Sequence, residues 1–347
     1  MSELIDVHTH LYPRIYLDRL RSRKEIPRVT RSDGAERFVI FPEEQGAIGG
    51  RPIGPEYWDL DAKLIAMDQT GIDRALLSLG NPWLDPIPAA ESVELARAIN
   101  EEFNRLSGRT GDRVHGLAVL PSGDIQAAVQ EIKWIAAQPG LHGVISGTKP
   151  CSMRIDEPEL EGLWAALEAA GLVFFLHPHY AVGVGELTGY GHTLPVSLGF
   201  PFETTVALAR LALSGVLDRH PKLRVLAAHG GGTLPFLIAR LDAGWRSSDR
   251  IASGLDRLPS ESLRGIYTDA VVYHQRALAA TVDFVGEDHV VFGTDHPFSI
   301  SDPQANRDAI VRGQRDDVVN RIFGQNAARL FGFQLAGQGR TQANELA

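Results

Sequence analysis

Five residues of this sequence carry side chains that bind metals or move protons, and each ends an apolar run. His8 and His10 flank Thr9 after Ile5-Asp6-Val7, and His177 closes Val173-Phe174-Phe175-Leu176. His229 closes Val225-Leu226-Ala227-Ala228, and Asp295 follows Val290-Val291-Phe292-Gly293-Thr294. Two histidines two apart on a strand point to one face with Cα atoms roughly 6.6 Å apart, a spacing that suits two ligands on one metal ion. Such an ion polarises a bound oxygen or activates water. With 12 histidines in 347 residues, one His-x-His pair is close to a chance event. What singles the set out is that every member stands at a strand end.

The strands that must position them are short Val/Ile/Leu/Phe runs, each followed by a longer stretch with helical spacing of apolar residues. They are expected over 4–8, 74–79, 115–120, 143–146, 172–177, 223–228, 265–271 and 290–293, with helices over 89–106, 124–137, 158–170, 203–217, 234–245 and 273–284. Eight strands is the count of a (β/α)8 TIM barrel. A doubly wound open sheet gives the same alternation. The barrel is favoured because it gathers catalytic groups from the C-terminal ends of many strands, here the first, fifth, sixth and eighth. Two stretches fit no β-α unit: an insertion of about 12–58 after strand 1 and the glycine-rich 180–201 after strand 5, both expected to lie over the site. Residues 1–334 are expected to form one domain, with 335–347 a weakly ordered tail.

A balance of 43 acidic against 34 basic residues, net −9, repels polyanions and argues against nucleic acid or an anionic membrane as partner. A small carboxylic acid remains a suitable substrate if local arginines receive it. The single cysteine, Cys151, excludes an internal disulfide, and the start lacks a signal-peptide pattern, so a cytoplasmic location is expected. No apolar run reads as a membrane span. Among the other histidines, His115, His142, His220, His274 and His289 fall where structural roles are expected, while His179, His192 and His296 fall in rim loops.

The motifs His8-Thr9-His10, Leu176-His177-Pro178-His179-Tyr180, His229-Gly230-Gly231-Gly232-Thr233-Leu234-Pro235-Phe236 and Phe292-Gly293-Thr294-Asp295-His296-Pro297-Phe298 resemble the aminocarboxymuconate-semialdehyde decarboxylase branch of the amidohydrolase superfamily. The resemblance spans residues 4 to about 332. Gly50-Arg51-Pro52, Asn81-Pro82-Trp83, Tyr190-Gly191-His192 and Leu198-Gly199-Phe200-Pro201 most resemble the isoorotate (uracil-5-carboxylate) decarboxylases of that branch. It implies that His8, His10, His177 and Asp295 bind one divalent metal ion, zinc first and manganese second, and that His229 acts as acid/base or polarises the substrate. It further implies that Arg51 clamps a carboxylate, that Asn81 and Phe298 contact the ring, and that Arg240 reaches a neighbouring subunit's site in a homodimer. His179, where the muconate-semialdehyde decarboxylases carry tryptophan, joins the expected substrate-binding residues.

These residue types suit non-oxidative decarboxylation. Loss of CO2 from an unsaturated carbon leaves an unstable carbanion, so that carbon must be protonated first, by Asp295 or His229. The same ligands could instead activate water to hydrolyse an amide, lactone or C–C bond, or serve a non-catalytic metal-binding protein. Binuclear hydrolases resembling this chain need a carboxylated lysine ending strand 4, and Lys149 stands three residues beyond Ser146. Trp245 and Arg246 are expected at a dimer interface.

Overall fold

A computed structural model describes residues 3–46, 49–248, 255 and 257–335. The first strand, β1 (Ile5–His10), is followed by helix α1 (Arg14–Arg21) and an antiparallel sheet of β2 (Arg28–Ser32), β3 (Ala35–Val39) and β4 (Arg51–Ile53). Then come α2 (Leu60–Thr70), β5 (Arg74–Ser78), α3 (Ala89–Arg109), β6 (Val114–Val119), α4 (Ile125–Ile135), β7 (Leu141–Ser146), α5 (Glu161–Ala170) and β8 (Val173–Leu176). The chain continues through α6 (Phe200–Leu213), α7 (Val216–Arg219), β9 (Arg224–Ala227), α8 (Leu234–Ser247), α9 (Pro259–Leu263), β10 (Tyr267–Asp269), α10 (Gln275–Val285) and β11 (Val290–Val291). Helices α11 (Pro303–Gly313), α12 (Asp316–Asn320) and α13 (Asn326–Phe331) follow.

Eight of the strands form one parallel sheet in the order β1-β5-β6-β7-β8-β9-β10-β11. The ends meet: Val7 N donates to Phe292 O at 3.0 Å, Asp295 N to His8 O at 2.7 Å and His10 N to His296 O at 2.7 Å. The sheet is therefore the expected (β/α)8 barrel. Its strands read as almost wholly buried runs because helices cover them outside and side chains fill them inside.

The first strand runs two residues beyond its expected end, so His8 and His10 both belong to it, whereas β11 has only two residues of regular ladder. Beyond Val291 the chain bonds back to β1, which delivers Asp295 beside the two histidines. The insertion after β1 folds as a small sheet whose β4 brings Arg51 to a cavity. In this sheet Phe38 pairs with Arg51, and a Cβ on Gly50 (φ 88°) would meet the Phe38 carbonyl oxygen at 2.3 Å, so only glycine lets β4 close on β3 there. Residues 195–199 form a π-turn that runs straight into α6, which thus starts three residues before its expected beginning. The run Pro195–Leu213 is long and apolar enough to cross a bilayer by length and composition, yet it packs as a barrel helix with Leu208, Leu211 and Ala212 wholly buried. Apart from Leu335, the expected tail lies outside the described residues.

Candidate active site

The C-terminal ends of β1, β8 and β11 bring His8, His10, His177 and Asp295 together, with one ligand atom from each lying within 4.8 Å of all the others. The three imidazoles stand edge to face, their centroids 5.0 to 5.2 Å apart. Asp295 Oδ1 is 3.2 Å from both His8 Nε2 and His10 Nε2. None of His8 Nε2, His10 Nε2, His177 Nε2 and Asp295 Oδ1 has a hydrogen-bond partner, although all four residues are buried. Buried polar atoms are almost always paired, so four orphans facing one point define a site for a cation. The donor set, three imidazole nitrogens and one carboxylate oxygen, suits one divalent metal.

The far side of each ring is held. His8 Nδ1 donates to Asp269 Oδ2 at 2.6 Å and His177 Nδ1 to the Pro178 carbonyl at 2.8 Å. His10 Nδ1 donates to Ser78 Oγ at 3.0 Å, and that hydroxyl itself donates to Thr9 O. Each bond puts the lone pair on Nε2, the atom aimed inward. Asp269 also accepts from His229 N and Gly230 N, both at 3.0 Å, tying β9 to β10. Behind β1, the carboxylate of Asp6 accepts from His8 N at 3.1 Å and from Thr294 Oγ1 at 2.6 Å. Buried Lys63, from α2, donates to Thr9 Oγ1 at 2.9 Å and to His296 Nδ1. His229 (φ 56°) and Asp295 (φ 60°) both hold left-handed backbone, a cost that non-glycine residues bear where surrounding structure imposes it.

Burial lowers the His10 pKa to about 4 and holds His177 well below its ordinary value, so both are neutral and can ligate. At His8 burial also lowers the pKa, but the Asp295 and Asp269 carboxylates outweigh it and raise it to about 10. Burial works to raise Asp295, while His8, His10 and His229 hold it well below the carboxylate range. The carboxylates thus call for positive charge between them, which a metal ion provides. His229 Nε2 lies 3.5 Å from the other oxygen, Asp295 Oδ2, and stands beside the four-atom cluster rather than in it.

A cavity of about 580 Å³ opens over this cluster, and Arg51, Asn81, His177, His229, Asp295 and Phe298 all line it. Arg51 Nε is 2.7 Å from Glu44 Oε1, an ion pair that holds the guanidinium beside the cavity. Phe298 lies with its ring centroid 5.0 Å from that of His10. His192, from the loop after β8, lines the cavity too. His179 is not in the lining; its ring packs edge-on against Trp83 at 5.5 Å. Arg240 is exposed on α8, and Trp245 is buried in its own chain while Arg246 is exposed. Lys149 lies over the Tyr180 ring, 4.5 Å from its centroid, and is no part of the cluster. Asp269, Asp6, Lys63 and Glu44 do not stand out in the sequence as site residues. Asp269 alone carried a usable signal, since it closes β10 much as Asp295 follows β11.

A barrel with such a ligand set at its C-terminal rim defines a metal-dependent enzyme, and the amidohydrolase family pattern matches residues 5–333; the chain belongs to that family. The 2-amino-3-carboxymuconate-6-semialdehyde decarboxylase of Dictyostelium discoideum is 27% identical over 311 residues, covering 86% of this chain and 82% of that protein. The isoorotate decarboxylase (IDCase) of Metarhizium anisopliae, solved in apo form, matches with a TM-score of 0.90 at 34% identity, covering 95% of this chain and 97% of that one. The 5-carboxyvanillate decarboxylase of Sphingomonas paucimobilis matches with a TM-score of 0.81 at 25% identity, covering 96% and 100%. Within its family the chain is a metal-dependent carboxy-lyase, a reading its relatives support over hydrolysis.

Proposed function

We propose that the protein removes CO2, without oxidation, from a cyclic or conjugated carboxylic acid that bears an oxygen beside the carboxylate, of the uracil-5-carboxylate or aminocarboxymuconate-semialdehyde kind. The observation that carries this reading is the set of four unpartnered ligand atoms facing a cavity that also holds Arg51 and Asn81. His8, His10, His177 and Asp295 would hold one divalent ion, zinc before manganese. When bound, that ion supplies Lewis-acid polarisation of the carboxylate and its neighbouring oxygen.

The chain's own residues do the rest. Arg51, oriented by Glu44, forks onto a planar carboxylate, which offsets the repulsion of a net charge of −9. Asn81 and Phe298 hold the ring, one by its amide and one by its face. The Asp295 and His229 pair, 3.5 Å apart, carries one proton between them and delivers it to the carbon that bears the carboxylate. The C–C bond then breaks, its electron pair restores conjugation in the ring, and CO2 leaves. His179 would act on the pocket indirectly, packing on Trp83, which packs in turn on the cavity-lining His177.

Assembly and location belong to the same reading. Phe236 is 87% exposed one turn before Arg240 on α8, with Phe202 and Val206 partly exposed on neighbouring α6. A second copy seated there would cover them and present Arg240 to its partner. The single cysteine fits a reducing cytoplasm.

The test is incubation of metal-loaded protein with uracil-5-carboxylate, aminocarboxymuconate semialdehyde and 2-hydroxybenzoates while CO2 is followed. Release from at least one acid is expected. No release from any, together with turnover of a lactone or amide panel, overturns the reading.

A further inference from the structure

Tyr273 lines the same cavity as Asp295 and Phe298, yet none of the roles above uses it. It follows β10 in the loop before α10, on the far side of β1 from the loop that carries Asn81. Its hydroxyl oxygen is buried and has no hydrogen-bond partner. The residue is held firmly: its backbone takes a left-handed φ of 58°, and its N–H donates to Asn306 Oδ1 at 3.1 Å. Asn306 is wholly buried and donates in turn to Gly293 O at 3.2 Å, two residues before Asp295. One amide side chain therefore registers the backbone of Tyr273 against the strand end that carries the proton-transfer group. Local strain of this kind is kept where the surrounding structure over-determines it.

The chemistry of the hydroxyl is that of a donor. Burial, with Asp295, Asp269 and Asp302 nearby, pushes its pKa well up, so it stays protonated at any working pH. A buried hydroxyl without a partner is destabilising, a cost that a ligand acceptor would remove. The same acidic surroundings disfavour a second anion there and favour a neutral carbonyl or hydroxyl oxygen.

We propose that Tyr273 is a specificity-determining residue: its hydroxyl donates a hydrogen bond to a neutral oxygen on the substrate ring, distinct from the carboxylate and from the oxygen beside it. This deepens the decarboxylase reading and rests on it for the identity of the bound acid. The substrate class narrows to ring acids with a further oxygen, since a site built around a donor rejects analogues lacking the acceptor.

The experiment compares wild type with Tyr273→Phe, which keeps the ring and its packing. The probes are 2-hydroxybenzoate, the four isomers that carry a second hydroxyl, and uracil-5-carboxylate. Dissociation constants come from calorimetry on metal-loaded protein, with KM and kcat where CO2 is released. Wild type should bind at least one further-oxygenated acid roughly tenfold tighter than 2-hydroxybenzoate. Tyr273→Phe should erase that preference while leaving 2-hydroxybenzoate affinity and bound metal unchanged, with Tm equal to or above that of wild type because the unpartnered hydroxyl is gone. An unaltered preference in the variant, or no preference in wild type, overturns the proposal. Binding that behaves as expected with no CO2 from any acid would instead sink the decarboxylase reading and leave Tyr273 in place.

Discussion

Asp295 is asked to do most. One oxygen joins the ligand cluster and the other faces His229 at 3.5 Å, so Asp295→Asn should abolish turnover; activity retained in a steady-state assay would remove it from both roles. Asp269 never faces the cation, yet it orients His8 and the turn at His229. Asp269→Asn should weaken metal binding by about 10–100-fold, read by competition with a chromogenic chelator, and unchanged affinity would contradict its assignment. Arg51→Lys keeps the charge and loses the fork, so KM should rise about tenfold or more with kcat less affected. The histidines and Asp295 were legible in the sequence because a polar residue ending an apolar run is conspicuous. Glu44 and Lys63 were not, because each acts from outside the barrel strands: Glu44 meets Arg51 only once β4 has folded back on β3, and Lys63 bonds to Thr9 and His296, far away in sequence.

At the scale of elements, the loops after β5 and β8 are joined over the rim. Tyr180 Oη donates to Asp85, and the Glu203 carboxylate at the start of α6 accepts from His179 N at 3.0 Å and Ala181 N at 2.7 Å. Burial, with Glu203 adding to it, raises the Asp85 pKa to about 6 from 3.8, the Tyr180 bond offsetting part of the shift. A carboxyl whose folded pKa is raised binds more protons in the folded state than in the unfolded state between those values. Its contribution to stability therefore falls as pH rises from about 4 to about 6. Thermal melts across that range should show this slope in wild type and a shallower one in Asp85→Asn; equal slopes would contradict it. The strands and most of the helices between them were readable from periodicity. The helix α2 was not, because Lys63 interrupts its buried face while Ile65 stands exposed. The sheet β2-β3-β4 was missed as well, since its short strands are largely polar on their open face.

Across the whole molecule, β1, β8 and β11 contribute to one cluster, so a cation bound there ties the two ends of the sheet to its middle. At a free-metal concentration near a thousandfold above Kd, binding stabilises the fold by about 4 kcal/mol. Chelation should lower Tm and restoring metal should recover it, whereas an unchanged Tm would mean the cluster holds no ion in the folded protein. Elemental analysis should find one metal per chain, and two would favour a binuclear centre. Sedimentation tests the second copy expected over α6 and α8: wild type should run as a dimer and Phe236→Glu as a monomer.

In the decarboxylation a proton reaches the carbon that bears the carboxylate as CO2 leaves. Running the reaction in D2O with an accepted acid tests this directly. CO2 and product should appear in equal amounts, with one deuterium on the carbon that lost the carboxylate. Product formed with the carboxylate retained and a bond to water oxygen made elsewhere would contradict it.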